Sequence, residues 1–299
     1  MHFTDAQVRT LLTYDDLIPA MERALADYTT GRAIQPVRTM IPVAEHGGYL
    51  FVMPAYCGAL GAKLVSYYPG NHGIETHFAT IQLFKPETGE PFVSMDGTLI
   101  TEMRTAAVSA AATQALAHDD ASRLAILGSG VQARSHLEAL RHVRDFRDVR
   151  VWSPRSGAAF AAEHGITAAK SAEACVDGAD VIVVATTSST PVLKGAWVAN
   201  GAHVNSVGAA LADSREMDDA FLHRARVFVD SRAGALVESG DVIAAGRVDA
   251  EIGEVFEGTH PGRGSRDELT WFKSLGMAVE DIVTADIVYR RAVAAGRVA

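Results

Sequence analysis

The stretch Arg123-Leu-Ala-Ile-Leu-Gly-Ser-Gly-Val-Gln-Ala133 constrains this chain more than any other. An apolar β-type run, Leu124 to Leu127, stops at Gly128, and Gly130 and Ala133 complete a G-x-G-x-x-A pattern. A helix-like segment follows at once, with Val131, Leu137, Leu140 and Val143 near helical spacing. A strand that turns sharply into a helix aims free N–H groups and a positive dipole end at whatever sits above the turn. Gly128 permits the tight turn, Gly130 lets a pyrophosphate approach the backbone, and the small Ala133 lets helix and strand pack closely. The stretch therefore predicts a dinucleotide-binding turn. A glycine turn of purely structural use is the alternative, because such turns are common in α/β proteins.

The totals narrow the class. The 299 residues suffice for one large domain or two smaller ones, and 48% hydrophobic with 21% charged residues is an ordinary globular balance. A formal net charge of -9 argues against nucleic acid or an anionic membrane as partner, since both need a basic face. No apolar run approaches the ~18 residues that span a bilayer, and the N-terminus lacks the basic and apolar regions of a signal peptide. The expected location is the cytoplasm. Cys57 and Cys175 lie far apart and read as reduced, packed residues, and the eleven histidines form no ligand grouping, so no metal site is expected.

Along the chain, Thr4 with Gln7 reads as a capping box, and a second helix begins after Thr13 and ends by Gly31. The period then changes. Segments near 34–43, 48–54, 60–67, 78–84 and 91–95 are rich in Val, Ile, Tyr and Phe and broken by Gly, Pro or Asn, as antiparallel strands are. Thr101 to His118 is an alanine-rich helical run. From residue 123 strand candidates at 123–127, 149–153, 180–185, 203–207, 226–230 and 269–273 alternate with helical segments, which implies a mostly parallel, doubly wound sheet. A last helix, about Ala278 to Ala295, is expected to return to the first region. The predicted fold is α/β: a Rossmann-type lobe over 120–277, and an α+β substrate lobe with an antiparallel sheet over 1–119 plus 278–299. The substrate cleft is expected between the lobes.

The end of the second parallel strand, Val149-Arg-Val-Trp-Ser153, bears on the cofactor. An NAD enzyme usually places an acidic residue there to accept hydrogen bonds from the ribose 2′-hydroxyl. This chain offers Ser153, Pro154, Arg155 and Ser156, which would welcome a 2′-phosphate, so NADP is expected, with NAD possible. The alternative reading of Arg155 is a solvated residue opening a helix. In the first region, Arg38, Lys63 and His77 interrupt apolar strands, and Arg104 opens a small-sided helix. Burying such groups costs free energy unless they find partners, but alternation could also turn them outward.

Taken together, these motifs resemble the ornithine cyclodeaminase/mu-crystallin family, and especially its mu-crystallin branch, over essentially the whole chain. The likeness runs through Gly48–Tyr56, Ala62–Val65, Met95–Gly97, Arg104–Ala110, Leu124–Ala133, Val207–Ala209, Arg215–Asp218, Val229–Ser231, Glu238–Val242 and Phe272–Asp281. It implies a first lobe whose sheet pairs with that of a second subunit, giving a homodimer, and nicotinamide-dependent chemistry at the Cα–N bond of amino acids or cyclic imines. It implies that Arg38, Lys63 and Arg104 surround the substrate carboxylate with Thr105 beside them, and that His77 and Glu238 lie near the substrate. Lys63, His77 and Glu238 are then the candidate proton donors. Val131 and Gln132 would touch the cofactor, with Ser274 and Leu275 at its nicotinamide end.

Two departures matter. Cyclodeaminases resemble one another in an aspartate after the Val-Gly motif, where this chain has Ala210, and in a glutamate just before Met-Pro, where it has Phe51. An alanine cannot take or give a proton, so full cyclodeamination is disfavoured. Mu-crystallin-like chains also carry Asn-Arg-Thr where Ser153-Pro154-Arg155 stands, so phosphate contacts would be arranged differently. The expected activity is NAD(P)H-dependent reduction of cyclic ketimino acids such as pyrroline- and piperideine-2-carboxylate. An amino-acid dehydrogenase, a cyclodeaminase and a non-catalytic binder of cofactor and small carboxylates are the alternatives.

Overall fold

The computed structural model describes residues 1–297; the last two positions of the C-terminal segment expected in the first lobe, 298 and 299, lie outside them. The chain forms two compact units, Met1–Arg104 with the segment from Gly276 onward, and Thr105–Leu275. The sequence reading placed the boundary after the alanine-rich helix. The division instead falls inside that helix, after Arg104.

The first unit opens with β1 (His2–Phe3), α1 (Asp5–Arg9) and α2 (Tyr14–Thr29). The Thr4–Gln7 capping box is present, and Gly31 takes a left-handed φ of 76° just beyond α2. Strands β2 (Thr39–Val43), β3 (Gly48–Tyr56), β4 (Leu60–Tyr67), β5 (His77–Phe84) and β6 (Pro91–Asp96) follow as an antiparallel meander, with β1 added in parallel at the β6 edge. Two residues carry no readable period, so β1 had no sequence signal. The helix α3 (Thr98–Leu116) comes next, and much later α11 (Ala278–Ala294) lies against α2 and strands β3 to β5.

The register fixes which side chains share a face. Tyr49 pairs with Tyr67 and Tyr67 with His77; Phe51 pairs with Val65 and Val65 with Ala79; Met53 pairs with Lys63 and Lys63 with Ile81. Side chains alternate across a strand, so these three rows lie on one face. At the Met53 end that face is buried, with Met53, Ile81, Leu83, Val93 and Met95 at 4% exposure or less.

The second unit is a parallel sheet with helices between its strands. In chain order it contains β7 (Arg123–Leu127), α4 (Val131–Leu140), β8 (Asp148–Trp152), α5 (Gly157–His164), β9 (Thr167–Ala168), α6 (Ala172–Val176), β10 (Val181–Val184) and β11 (His203–Ser206). It continues with α7 (Asp219–Arg224), β12 (Arg226–Val229), α8 (Arg232–Glu238), α9 (Gly240–Ala245), β13 (Ala250–Glu251), α10 (Ile252–Phe256) and β14 (Thr270–Lys273). The sheet order is β13-β12-β14-β11-β10-β7-β8-β9, every pairing parallel. The order reverses between β7 and β10, the switch point at which doubly wound sheets open a crevice. The predicted central strands fall within a residue or two of the observed ones. The two-residue edge strands β9 and β13 had no period to betray them. Central strands such as Val181–Val184 are wholly buried, as parallel strands covered on both faces must be. Trp271 on β14 packs edge-on against Phe221 at 5.7 Å and donates its indole N–H to Ser206 Oγ at 2.8 Å. Among the described residues, no helix is long and apolar enough to cross a membrane.

Candidate active site

In the first unit a buried charge cluster forms where β4, the head of α3 and the head of α11 meet. Lys63 is 1% exposed and Arg104 4%. The Lys63 ammonium lies 2.5 Å from Asp281 Oδ2, while Arg104 donates from Nε to Asp281 Oδ1 at 2.9 Å and from Nη1 to Glu280 Oε2 at 2.7 Å. Lys63 and Arg104 thus share one carboxylate. Glu280 and Asp281 sit in the first turn of α11, where the helix dipole favours negative charge. Gly276, at φ 80°, completes the seat: a Cβ there would lie 2.5 Å from Arg104 Nη1. The sequence reading assigned no role to Glu280 or Asp281. The acidic pair heading the last helix, Ala278-Val-Glu-Asp281, was the available signal.

Burial pushes the Lys63 ammonium down from 10.5 to about 8; Asp281 opposes the shift and the Arg104 charge adds to it. A lysine so placed exchanges its proton near neutral pH, which a solvated lysine does not.

Arg38 immediately precedes β2, whose Thr39 pairs with Val52, so it enters the sheet beside Met53, the partner of Lys63. Its guanidinium lies 5.1 Å from the Phe51 ring centroid. Along the same face, Phe51 neighbours Tyr49 at 6.2 Å, Tyr49 neighbours Tyr67 at 6.4 Å, and Tyr67 stacks on His77 at 4.4 Å. The result is a face with buried cations at one end and an aromatic row at the other. His77 is exposed at the start of β5, with Nδ1 3.0 Å from Thr76 Oγ1. Partial burial lowers its pKa below 6.5, Glu75 opposes, and the Lys63 charge lowers it further. Thr105, the residue after Arg104 in α3, is buried.

In the second unit the glycine turn has the shape a dinucleotide needs. Gly128 takes φ 117°, and a Cβ there would lie 2.2 Å from Ala185 O, so only glycine fits the turn. Gly130 precedes α4, and a Cβ built on it meets nothing within 4 Å. That open space faces the first turn of a ten-residue helix whose leading N–H groups have no intrahelical acceptor. Val131 is half exposed, Ala133 is fully buried, and Gln132 Oε1 is a buried oxygen without a hydrogen-bond partner. The β8 side closes on the turn: Gly128 N–H donates to Trp152 O at 2.9 Å, and the Ser129 and Ser156 hydroxyls are 2.6 Å apart. Beyond Trp152, Ser153 is half-buried, Arg155 and Ser156 are exposed, and no carboxylate stands in Trp152–Ser156. Ser274 and Leu275 follow β14 directly. The Ser274 hydroxyl is buried without a partner, and Leu275 N–H donates to Asp230 Oδ2 at 2.6 Å. Glu238 is half-buried at the end of α8. An open approach at Gly130, a free helix head and unsatisfied polar atoms on Gln132 and Ser274 together fit a nicotinamide dinucleotide.

The pattern of the ornithine cyclodeaminase/mu-crystallin family matches residues 1–296. The ketimine reductase mu-crystallin of Mus musculus is 46% identical over 286 residues, 91% of each chain. Among solved structures, the Thermococcus litoralis Δ1-pyrroline-2-carboxylate reductase in complex with NADH and L-proline superposes with a TM-score of 0.94 at 37% identity, covering 99% of this chain and 98% of the other. An archaeal alanine dehydrogenase dimer with bound NAD gives 0.94 at 34% identity, with 99% and 97% covered. The chain belongs to the ornithine cyclodeaminase/mu-crystallin family.

Proposed function

We propose that this protein reduces the C=N bond of cyclic ketimino acids, of the pyrroline- and piperideine-2-carboxylate type, with a reduced nicotinamide cofactor. The observation that carries the reading is the buried pair Lys63 and Arg104 on a shared carboxylate, at the head of an apolar, aromatic sheet face. Relatives named for the reduction of ketimines and of pyrroline-2-carboxylate support it.

Lys63 and Arg104, with Arg38 beside them, hold the substrate carboxylate, at about 1.5–3 kcal/mol per charge-assisted bond. Phe51 and the aromatic row take the apolar ring. An imine accepts hydride readily only when its nitrogen is protonated, and Lys63 Nζ, at about 8, is matched to that transfer. His77, lowered from 6.5 by burial, carries its proton less often at pH 7 and is the weaker candidate donor. Glu238 is the third candidate donor. When bound, the nicotinamide supplies the hydride. Gly128, Gly130, Val131, Gln132 and Ala133 hold its pyrophosphate end, and Ser274 and Leu275 its nicotinamide end. Ser153, Arg155 and Ser156, with no carboxylate among them, favour the 2′-phosphate of NADP over the free hydroxyl of NAD. Ala210 provides no acid or base, which weighs against cyclodeamination. We further assign the protein to a homodimer. The free cysteines Cys57 and Cys175 suit the reducing cytoplasm.

The test is a panel of cyclic imines, and of 2-oxo acids with methylamine or ammonia, each offered NADPH and NADH. Wild type should consume NADPH with a five- or six-membered ring imine and prefer it to NADH. Arg104→Leu would take a buried charged partner from both Glu280 and Asp281, so Arg104→Lys is the cleaner probe. It keeps the charge, loses the fork, and should lower kcat/KM roughly 10- to 100-fold with nucleotide affinity unchanged. Retention of ring carboxylates without nucleotide consumption would identify a binder instead.

A further inference from the structure

At the carboxyl edge of the parallel sheet, the ends of β7, β10, β11 and β14 lie side by side. Backbone meets backbone there more closely than side chains allow. A Cβ on Gly208 would lie 2.3 Å from Thr186 O and 2.4 Å from Glu216 Oε1. The next residue, Ala209, has φ 47°, the one non-glycine in the left-handed region among the described residues. An alanine in that region is strained by about 1 kcal/mol or more, and such strain persists where surrounding structure imposes it.

Two fully buried charged residues lie behind this loop. Lys273, the last residue of β14, donates from Nζ to the Gly208 carbonyl. Glu216 Oε1 accepts from Thr186 N–H at 3.0 Å and from its hydroxyl at 2.6 Å, while Oε2 is buried without a hydrogen-bond partner. Asp241 on α9 accepts from Glu216 N–H at 3.1 Å and Met217 N–H at 3.0 Å. Burial raises the carboxyls of both Glu216 and Asp241, and Lys273 opposes the rise in each. Three buried charges are a poor way to stabilise a fold, because desolvation consumes most of what pairing returns. The bonds of Lys273 and Glu216 converge instead on two loop backbones, at Gly208 and Thr186, at the edge where doubly wound sheets bind ligands.

We propose that Lys273 and Glu216 are positioning residues that hold Val207–Ala210 and Thr186 in the conformation that receives the nicotinamide cofactor. The proposal rests on the cofactor reading above, but names residues that neither the glycine turn nor the substrate cluster contains. Lys273 fixes the loop through the Gly208 carbonyl, and Glu216 fixes its neighbour through Thr186.

Glu216→Gln tests it, since it removes the charge facing Lys273 and replaces the carboxylate that accepts both Thr186 bonds with a weaker, neutral acceptor. Three quantities are measured: the dissociation constant of NADPH and NADH by fluorescence titration, KM for the imine at saturating nucleotide, and the thermal midpoint. The expected result is a nucleotide dissociation constant raised about tenfold with imine KM nearly unchanged. Thr186→Val, which deletes one of Glu216's bonds at a half-exposed site, should move it the same way by roughly threefold. It decides the matter if Glu216→Gln does not fold. A lower thermal midpoint with unchanged nucleotide affinity would reduce the pair to a structural role and overturn the proposal. Wild type that binds neither nucleotide would overturn this proposal and the cofactor reading together, whereas normal wild-type binding with indifferent variants sinks this one alone.

Discussion

Lys63 shows how one residue acquires a property that its type does not have. A solvated lysine stays charged far above neutral pH; Lys63, wholly buried, loses its proton at about 8. The sign follows directly: the ammonium is present below that value and lost above it. A ring carboxylate without a titratable nitrogen, used as a competitive ligand, should therefore bind wild type tightly at pH 7 and progressively more weakly above pH 8. Lys63→Arg should bind it without that decline, because guanidinium does not titrate in the range. A wild-type profile flat from pH 7 to 10 would take Lys63 out of the anion site. The same residue measures what the sequence discloses. A lysine inside an apolar strand, Ala62-Lys-Leu-Val65, is conspicuous because burial has to be compensated. Its compensation, Asp281, lies 218 positions on and could not be found from spacing. Lys273, in the equally apolar Thr270-Trp-Phe-Lys273, carries the same signal, and its acceptor, the Gly208 carbonyl, is no more visible from spacing.

At the scale of elements, the glycine turn sorts its two glycines by different physics. Gly128 is needed by the fold: its φ of 117° and the 2.2 Å approach to Ala185 O exclude any Cβ. Gly130 is not needed by the fold, since a Cβ there meets nothing within 4 Å. Gly128→Ala should cost the nucleotide-free protein roughly 2–4 kcal/mol in denaturant unfolding. Gly130→Ala should stay within about 1 kcal/mol of wild type, the size of an N-cap change. The same Gly130→Ala should weaken nucleotide binding about tenfold or more, because the methyl occupies the space a pyrophosphate would use. Normal nucleotide affinity in Gly130→Ala would show that no phosphate comes close there. Elements of this kind were legible because strand and helix periods are local. Apart from β1, β9 and β13, and from β2, which begins at Thr39 rather than near 34, the strands of both sheets fall near their expected positions, and the capping box at Thr4 is legible from two residues. Where the compact units divide is not local. The alanine-rich run reads as one helix, and nothing in its period marks Arg104 as the end of one unit and Thr105 as the start of the next.

For the whole molecule, the sheet of the first unit poses the remaining question. Its inner face holds Met53, Lys63 and Ile81 and is covered by α11. On the outer face, Ile41 pairs with Leu50, Leu50 with Ser66 and Ser66 with Phe78, and the next row runs Thr39, Val52, Leu64, Thr80. Ile41, Leu64 and Phe78 on that face are 47%, 46% and 50% exposed. Covering such a sheet face with a second copy is what the homodimer proposal requires, and burying a Leu or Phe returns about 1.5–3 kcal/mol. Two copies meeting through this face would cover it without touching the cation cluster behind the sheet. Sedimentation velocity at micromolar concentration should then show wild type as a dimer. The double variant Leu64→Lys/Phe78→Glu should be a folded monomer, its dissociation constant raised about 100-fold or more by two charges set into an apolar contact. Because both substitutions point away from Lys63, the monomer should still bind ring carboxylates in its own pH-dependent way. A variant that stays dimeric would move the subunit contact elsewhere. A monomer that loses carboxylate binding would mean that pairing of the two sheets holds the inner face in shape.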